Sequence, residues 1–198
     1  MIHLILGGAR SGKSSYAEQL CAKLLKQDKR NHERLPVYIA TAEAFDDVEM
    51  QERIEKHQQD RAANSEQISW QVIECPLELA QLLTTQTRPI KSTIYLVDCL
   101  TMWLNNIIFN LGETVSQHAL DRETKQLLAS FAAFQQSQKQ HLVLVANEVG
   151  LGVVPLGNVS RLFVDNAGWL NQGIAKIADT VTLITAGIPL TLKGNSND

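Results

Sequence analysis

Short, nearly continuous apolar runs rich in β-branched residues recur along the chain at Ile2 to Leu6, Val37 to Ala40, Trp70 to Ile73, Thr93 to Val97, Leu142 to Ala146 and Thr180 to Thr185. Runs of this kind read as strands buried on both faces, and a last short strand is expected after Pro189. Between them lie stretches with helical spacing: Lys13 to about Lys29, Val48 to Ala63, Leu77 to about Thr87, Met102 to Phe109, Gln117 to about Gln138 and Ser160 to Ala178. Strand and helix alternate, so the pattern predicts an α/β fold, a mostly parallel sheet with helices on both faces. In the last helix Phe163, Ala167, Leu170, Ile174 and Ile177 form an apolar stripe that must be covered, by the core or by another subunit.

Composition narrows the picture. A chain of 198 residues with 44% hydrophobic content suits one well-buried core, and a single domain is expected. Eighteen basic against twenty-one acidic residues give a net charge of −3, with no basic block to neutralise nucleic-acid phosphates, so nucleic acid is not expected as a partner. No run approaches the roughly 18 apolar residues of a membrane span, and neither membrane insertion nor secretion is indicated. Cys21, Cys75 and Cys99 lack the paired spacing of a zinc site and read as reduced core thiols of a cytoplasmic protein.

Directly after the first strand, Gly7 to Ser14 read Gly-Gly-Ala-Arg-Ser-Gly-Lys-Ser. Gly7, four residues, then Gly12-Lys13-Ser14 is the spacing of a phosphate-binding loop, whose backbone N–H groups wrap a phosphate chain at a helix N-terminus. Lys13 is expected to reach the β and γ phosphates, and the Ser14 hydroxyl to ligate magnesium. The fold class expected is therefore of P-loop NTPase (RecA-like) type.

Ligands of an open parallel sheet collect at the carboxyl ends of its strands, where Glu74, Asp98 and Glu148 fall. Asp98, ending Ile94-Tyr95-Leu96-Val97-Asp98, has the form of a strand-end aspartate that holds magnesium or its water shell. Its alternative is a cap for a helix beginning at Thr101. Glu74 and Glu148 are explained nearly as well by capping or solvated positions. On the second helix Arg53, His57 and Arg61 are spaced by four, about 40° apart around the axis, and form one cationic stripe suited to holding phosphates around a nucleophile or acid. An ordinary surface histidine is the competing reading. The segment Asn147 to Pro155 carries Gly150 and Gly152, which suit either a loop over the site or a simple turn.

With these residues in view the chain resembles, over nearly its whole length, the bifunctional adenosylcobinamide kinase and adenosylcobinamide-phosphate guanylyltransferase family of cobalamin synthesis. Five stretches carry the resemblance: Gly7 to Ser14, Tyr38 to Glu43, Glu49-Met50 with Arg53-Ile54 and His57, Val97 to Thr101, and Asn147 to Gly150 with Val154-Pro155. The resemblance implies two reactions at one nucleotide site. ATP or GTP phosphorylates the aminopropanol hydroxyl of adenosylcobinamide. GTP then guanylylates a histidine, which falls on His57, and adenosylcobinamide phosphate takes up the guanylyl group to give adenosyl-GDP-cobinamide. It further implies nucleotide contacts at Gly7, Gly8, Ala9, Arg10, Ser11, Gly12, Lys13, Ser14, Ala40, Thr41, Ala42, Gln58, Gln59, Asp60, Arg61, Glu74 and Asp98, and a homotrimer; the magnesium expected at Ser14 and Asp98 comes from the phosphate loop and the strand-end aspartate themselves.

Two other functions fit parts of the sequence. A one-step phosphate-loop kinase for another small hydroxyl compound leaves the Arg53-His57-Arg61 stripe without a purpose. A GTP-dependent switch commonly reads guanine with Asn-Lys-x-Asp, which Asn147-Glu148-Val149-Gly150 does not supply.

Overall fold

The computed structural model describes residues 1–27, 35–43, 48, 51–52, 54–55, 59, 68–86, 93–135, 140–152 and 155–194. Seven strands form one sheet: β1 (Ile2–Gly7), β2 (Leu35–Ala40), β3 (Gln71–Glu74), β4 (Thr93–Asp98), β5 (Gln140–Asn147), β6 (Thr180–Thr185) and β7 (Ile188–Lys193). Their order is β3-β2-β4-β5-β1-β6-β7. All neighbours run parallel except β6 and β7, which pair antiparallel through a tight turn. One strand, β5, separates the strand that leads into the phosphate loop from the strand that ends in Asp98. This is the α/β arrangement the alternating pattern and the loop predict.

Among the described residues the α-helices with defined ranges are α1 (Lys13–Gln27), α2 (Leu79–Gln86), α3 (Leu100–Leu111), α4 (Gln117–Gln135) and α5 (Asn158–Ile177). Of the helix expected over Val48 to Ala63, the described positions Val48, Gln51, Glu52, Ile54, Glu55 and Gln59 are helical. The charged connector after Gln27 and the tail after Gly194 lie outside the described residues.

Strand alternation divides the core between the two faces of the sheet. On one face Leu4, Val37, Tyr95, Val97 and Leu144 meet α2 to α5 through Leu79, Trp103, Phe131 and Leu170. On the other, Ile5, Tyr38, Leu96, Val143 and Val145 meet α1 through Ala17, Cys21 and Leu24. The stripe on α5 is covered by this core: Ala167, Leu170 and Ile174 are buried, and Phe163 and Ile177 pack against the same cluster.

Burial on both faces holds for the inner strands but fails at β3. Gln71, Val72 and Glu74 are exposed, because β3 is an edge strand and its apolar run reads the same whether or not a neighbour covers it. The last strand begins at Ile188, one residue before the proline. Pro189 is tolerated because β7 is the opposite edge of the sheet, where a missing N–H breaks no inner ladder.

Two substitutions on α5 check which of its faces supports the fold. Leu170→Ala is expected to lower the unfolding free energy by about 2–5 kcal/mol in urea denaturation, whereas Val159→Ala, 55% exposed on the same helix, changes it by about 0.5 kcal/mol or less. Equal losses at both positions contradict the core assignment.

Candidate active site

The carboxyl ends of the parallel strands meet at one edge, and the sequence dictates what stands there. Gly7 ends β1 beside Asn147 of β5 and Ile184 of β6. A Cβ at residue 7 would lie 2.4 Å from Ser11 Oγ and 2.7 Å from the Ile184 carbonyl oxygen, so no side chain fits and the following loop folds tightly over the strand end. Arg10 and Gly12 take positive φ, 57° and 94°, which curls residues 8–12 back toward α1. Ser11 N–H donates to the Gly8 carbonyl at 3.3 Å, and Lys13 Nζ donates to the same oxygen at 3.0 Å.

The loop offers donors without partners. The first bond of α1 runs from Tyr16 N–H to the Gly12 carbonyl. Among the described residues, the N–H groups of Gly12, Lys13, Ser14 and Ser15 therefore carry no backbone partner, as at any helix start. Gly8, Ala9, Arg10 and Gly12 are exposed, and Lys13 and Ser14 half-buried. The Ser11 hydroxyl is buried with no hydrogen bond. A row of free N–H groups at a helix N-terminus, with an ammonium beside them, fits an anionic phosphate chain.

Asp98 ends β4 two strands away. Its Oδ2 accepts the Tyr38 hydroxyl at 2.9 Å, and the carboxylate is half-buried. It does not cap the following helix: α3 starts at Leu100, with Cys99 at the cap position and no side-chain cap bond. Thr101 has a different task, its hydroxyl accepting the Asn147 N–H at 2.6 Å. Ala40 pairs with both Asp98 and Glu74. Thr41 turns inward, donating its hydroxyl to the Cys99 carbonyl at 2.7 Å, and its own carbonyl accepts Asn106 Nδ2 at 2.7 Å. Residues 40–42, 74 and 98 thus form one contiguous rim. Ser14 hydroxyl and Asp98 carboxylate are hard oxygen donors, the type magnesium takes.

Other expectations separate. Glu148 is committed to its own turn, its Oε1 accepting Gly150 N–H at 3.0 Å, while its N–H holds the Gly7 carbonyl at 3.1 Å. Glu74 is exposed at the sheet margin. Gln59 is helical and exposed. His57, Arg53, Gln58, Asp60 and Arg61 lie outside the described residues. The sequence gives Asn147, within one of the resembling stretches, no site role of its own; it stands between the two key strand ends with its carbonyl held by Asn171 Nδ2 at 3.2 Å. The sequence is also silent on the β6–β7 turn that abuts the loop.

All three cysteines are free and buried, and among the described residues no cluster of His, Cys, Asp and Glu suits a metal ion. Burial pushes the Cys99 thiol up to about 12; Asp98 adds to the rise, and Lys13 opposes it. The two charges thus act on the same thiol with opposite sign. Burial likewise raises Cys21 and Cys75. Neutral thiols are poor nucleophiles, so iodoacetamide at pH 8 is expected to alkylate none of the three in the folded protein and all three after denaturation, read by intact mass. Rapid labelling of Cys99 in the folded protein contradicts this.

Residues 3–192 match the family described as cobinamide kinase / cobinamide phosphate guanyltransferase. The chain is 43% identical over 195 residues to the bifunctional adenosylcobalamin biosynthesis protein CobP of Pseudomonas aeruginosa, covering 98% of each. It is 35% identical over 202 residues to the corresponding CobU protein of Salmonella typhimurium, covering 98% of this chain and 100% of that one. For the Escherichia coli K12 CobU protein the identity is 33% over 198 residues, with 98% and 100% covered. A solved structure from Pyrococcus horikoshii OT3 superposes with a TM-score of 0.51 at 11% identity over 99% of this chain and 87% of that one, a likeness of fold alone. With its phosphate loop at the sheet edge and a match spanning nearly every residue, the chain belongs to the cobinamide kinase / cobinamide phosphate guanyltransferase family.

Proposed function

We propose that this chain is a bifunctional enzyme of adenosylcobalamin biosynthesis, working from one nucleotide-binding domain. It phosphorylates the aminopropanol hydroxyl of adenosylcobinamide with ATP or GTP, then guanylylates the product with GTP to give adenosyl-GDP-cobinamide. The observation that carries this reading is the family match over residues 3–192; the open row of N–H donors at Gly12 to Ser15 supports it.

In the first reaction the substrate hydroxyl attacks the γ-phosphorus, the bond to the β-γ bridging oxygen breaks, and nucleoside diphosphate leaves. Catalysis of such a transfer is mostly positioning and charge stabilisation. Lys13 releases the Gly8 carbonyl to meet the phosphates, and the loop N–H groups hold them. Ser14 and Asp98 are the side chains assigned to hold magnesium, which neutralises phosphate charge when bound. Tyr38 donates its hydroxyl to one carboxylate oxygen of Asp98 and so orients the carboxylate that would hold the ion.

In the second reaction a ring nitrogen of His57 attacks the α-phosphorus of GTP, a P–N bond forms, and pyrophosphate leaves. The terminal phosphate of adenosylcobinamide phosphate then attacks the same phosphorus and releases the imidazole. A neutral imidazole is nucleophilic near pH 7 and a labile leaving group once phosphorylated. Arg53 and Arg61 offset the phosphate charge. The GTP contacts assigned are Gly7 to Ser14, Ala40 to Ala42, Gln58 to Arg61, Glu74 and Asp98. No helix among the described residues is long and apolar enough to cross a membrane; a cytoplasmic setting is part of the proposal. The working assembly proposed is a homotrimer.

GTP labelled at the α-phosphate tests the covalent step: acid-labile label on His57 is expected, absent in His57→Ala, which retains phosphorylation of adenosylcobinamide. Phosphoryl transfer in a wild type that never takes label leaves a one-step kinase instead. Separately, Lys13→Ala is expected to lower both activities by about 100-fold or more, the scale of a lost transition-state donor. Unchanged rates at either step remove that step from the phosphate loop.

A further inference from the structure

The turn between β6 and β7 lies against the phosphate loop. Thr185 pairs with Ile188, so Ala186 and Gly187 are the two central residues, and both take positive φ, 51° and 78°. Two such residues define a type I′ hairpin turn. They lie outside the strand ladder, which leaves the Gly187 N–H free for another partner. That partner is the Ser11 carbonyl, at 2.9 Å. Residue 12 approaches as closely: a Cβ on Gly12 would sit 3.4 Å from Gly187 Cα.

This contact is unusual in what it joins. Among the described residues it is the one hydrogen bond linking residues 8–11 to any element other than the loop itself and α1. It also has a directional consequence. In a trans peptide the C=O and the next N–H point opposite ways, so a Ser11 carbonyl drawn toward the hairpin aims the Gly12 N–H away from it. That N–H is one of the partnerless donors at the start of α1.

We propose that Gly187 is a positioning residue for the nucleotide: its N–H, presented by the type I′ turn, anchors the Ser11 carbonyl and so orients the Gly12 N–H toward the phosphates. The inference rests on the reading of residues 7–14 as the phosphate site. Backbone conformation and not space limits what residue 187 can be, because a Cβ there meets nothing within 4 Å. Asparagine tolerates such a φ, whereas a β-branched residue does not.

Steady-state kinetics of full-length Gly187→Val and Gly187→Asn separate the possibilities, with thermal melting to establish folding. Gly187→Val is expected to raise the nucleotide KM about tenfold in the kinase reaction, with kcat within about twofold, as for loss of one hydrogen bond made equally in ground and transition states. Gly187→Asn stays near wild type. An unchanged KM in a folded Gly187→Val, or an equal loss in both variants, overturns the proposal. If Gly187→Val does not fold, amide hydrogen exchange of Gly187 in the wild type decides. Exchange slowed relative to a free peptide, and slowed further by GTP with magnesium, follows from the reciprocity of coupled binding. Exchange at the free-peptide rate, or no response to GTP, overturns it. Lys13→Ala in the same assay keeps the two readings apart: if it too leaves the nucleotide KM and kcat unchanged, the phosphate-site assignment fails and not merely the tether.

Discussion

The chemistry proposed for this chain depends on the close packing at residue 7, where a side chain would collide with Ser11 Oγ at 2.4 Å and with the Ile184 carbonyl at 2.7 Å. Only glycine allows the chain to leave β1 along so close a path, and the curl leads into four N–H groups without backbone partners at the start of α1. A phosphate chain is the ligand whose charge and acceptors match such a row of donors. The neighbours are arranged around the same point: Glu148 N–H holds the Gly7 carbonyl from β5, and Gly187 N–H holds the Ser11 carbonyl from the hairpin. The loop is thus fastened at both shoulders and open along its crest.

The parallel sheet supplies the second half of the site. Because β5 lies between β1 and β4, Asp98 stands two strand positions from the loop. The segment after β4 is fixed by buried polar contacts, Thr41 to the Cys99 carbonyl and Asn106 to the Thr41 carbonyl. Unpaired buried groups are costly, so these bonds hold the rim in one arrangement before any ligand arrives.

Much of this was legible in the sequence, for identifiable reasons. Inner strands such as Leu142 to Ala146 announce themselves because burial on both faces demands an unbroken apolar run, and the phosphate loop because glycine, lysine and serine at fixed spacing have few other uses. The edge character of β3 was not legible, since Trp70 to Ile73 is as apolar as an inner strand and only the sheet order shows that nothing covers Val72. The Asp98 cap reading failed because a strand-end aspartate and a helix cap look alike in sequence; the Tyr38 contact, 60 residues away, distinguishes them. The Gly187 tether was hidden for the same reason: Ala186-Gly187 reads as an ordinary turn, and its partner is far off in the chain. The stripe on α5 was ambiguous between core and subunit contact until the sheet face beneath it was known. His57, Arg53 and Arg61 rest on the family resemblance and on chemistry.

The most direct measurement of the account is a crystal structure of the protein with a non-hydrolysable GTP analogue and magnesium. The triphosphate is expected on the backbone N–H groups of residues 8–14, with Lys13 turned from the Gly8 carbonyl to the phosphates and the cation between Ser14 and Asp98. A triphosphate bound elsewhere on the molecule, with Lys13 still on the Gly8 carbonyl, contradicts it.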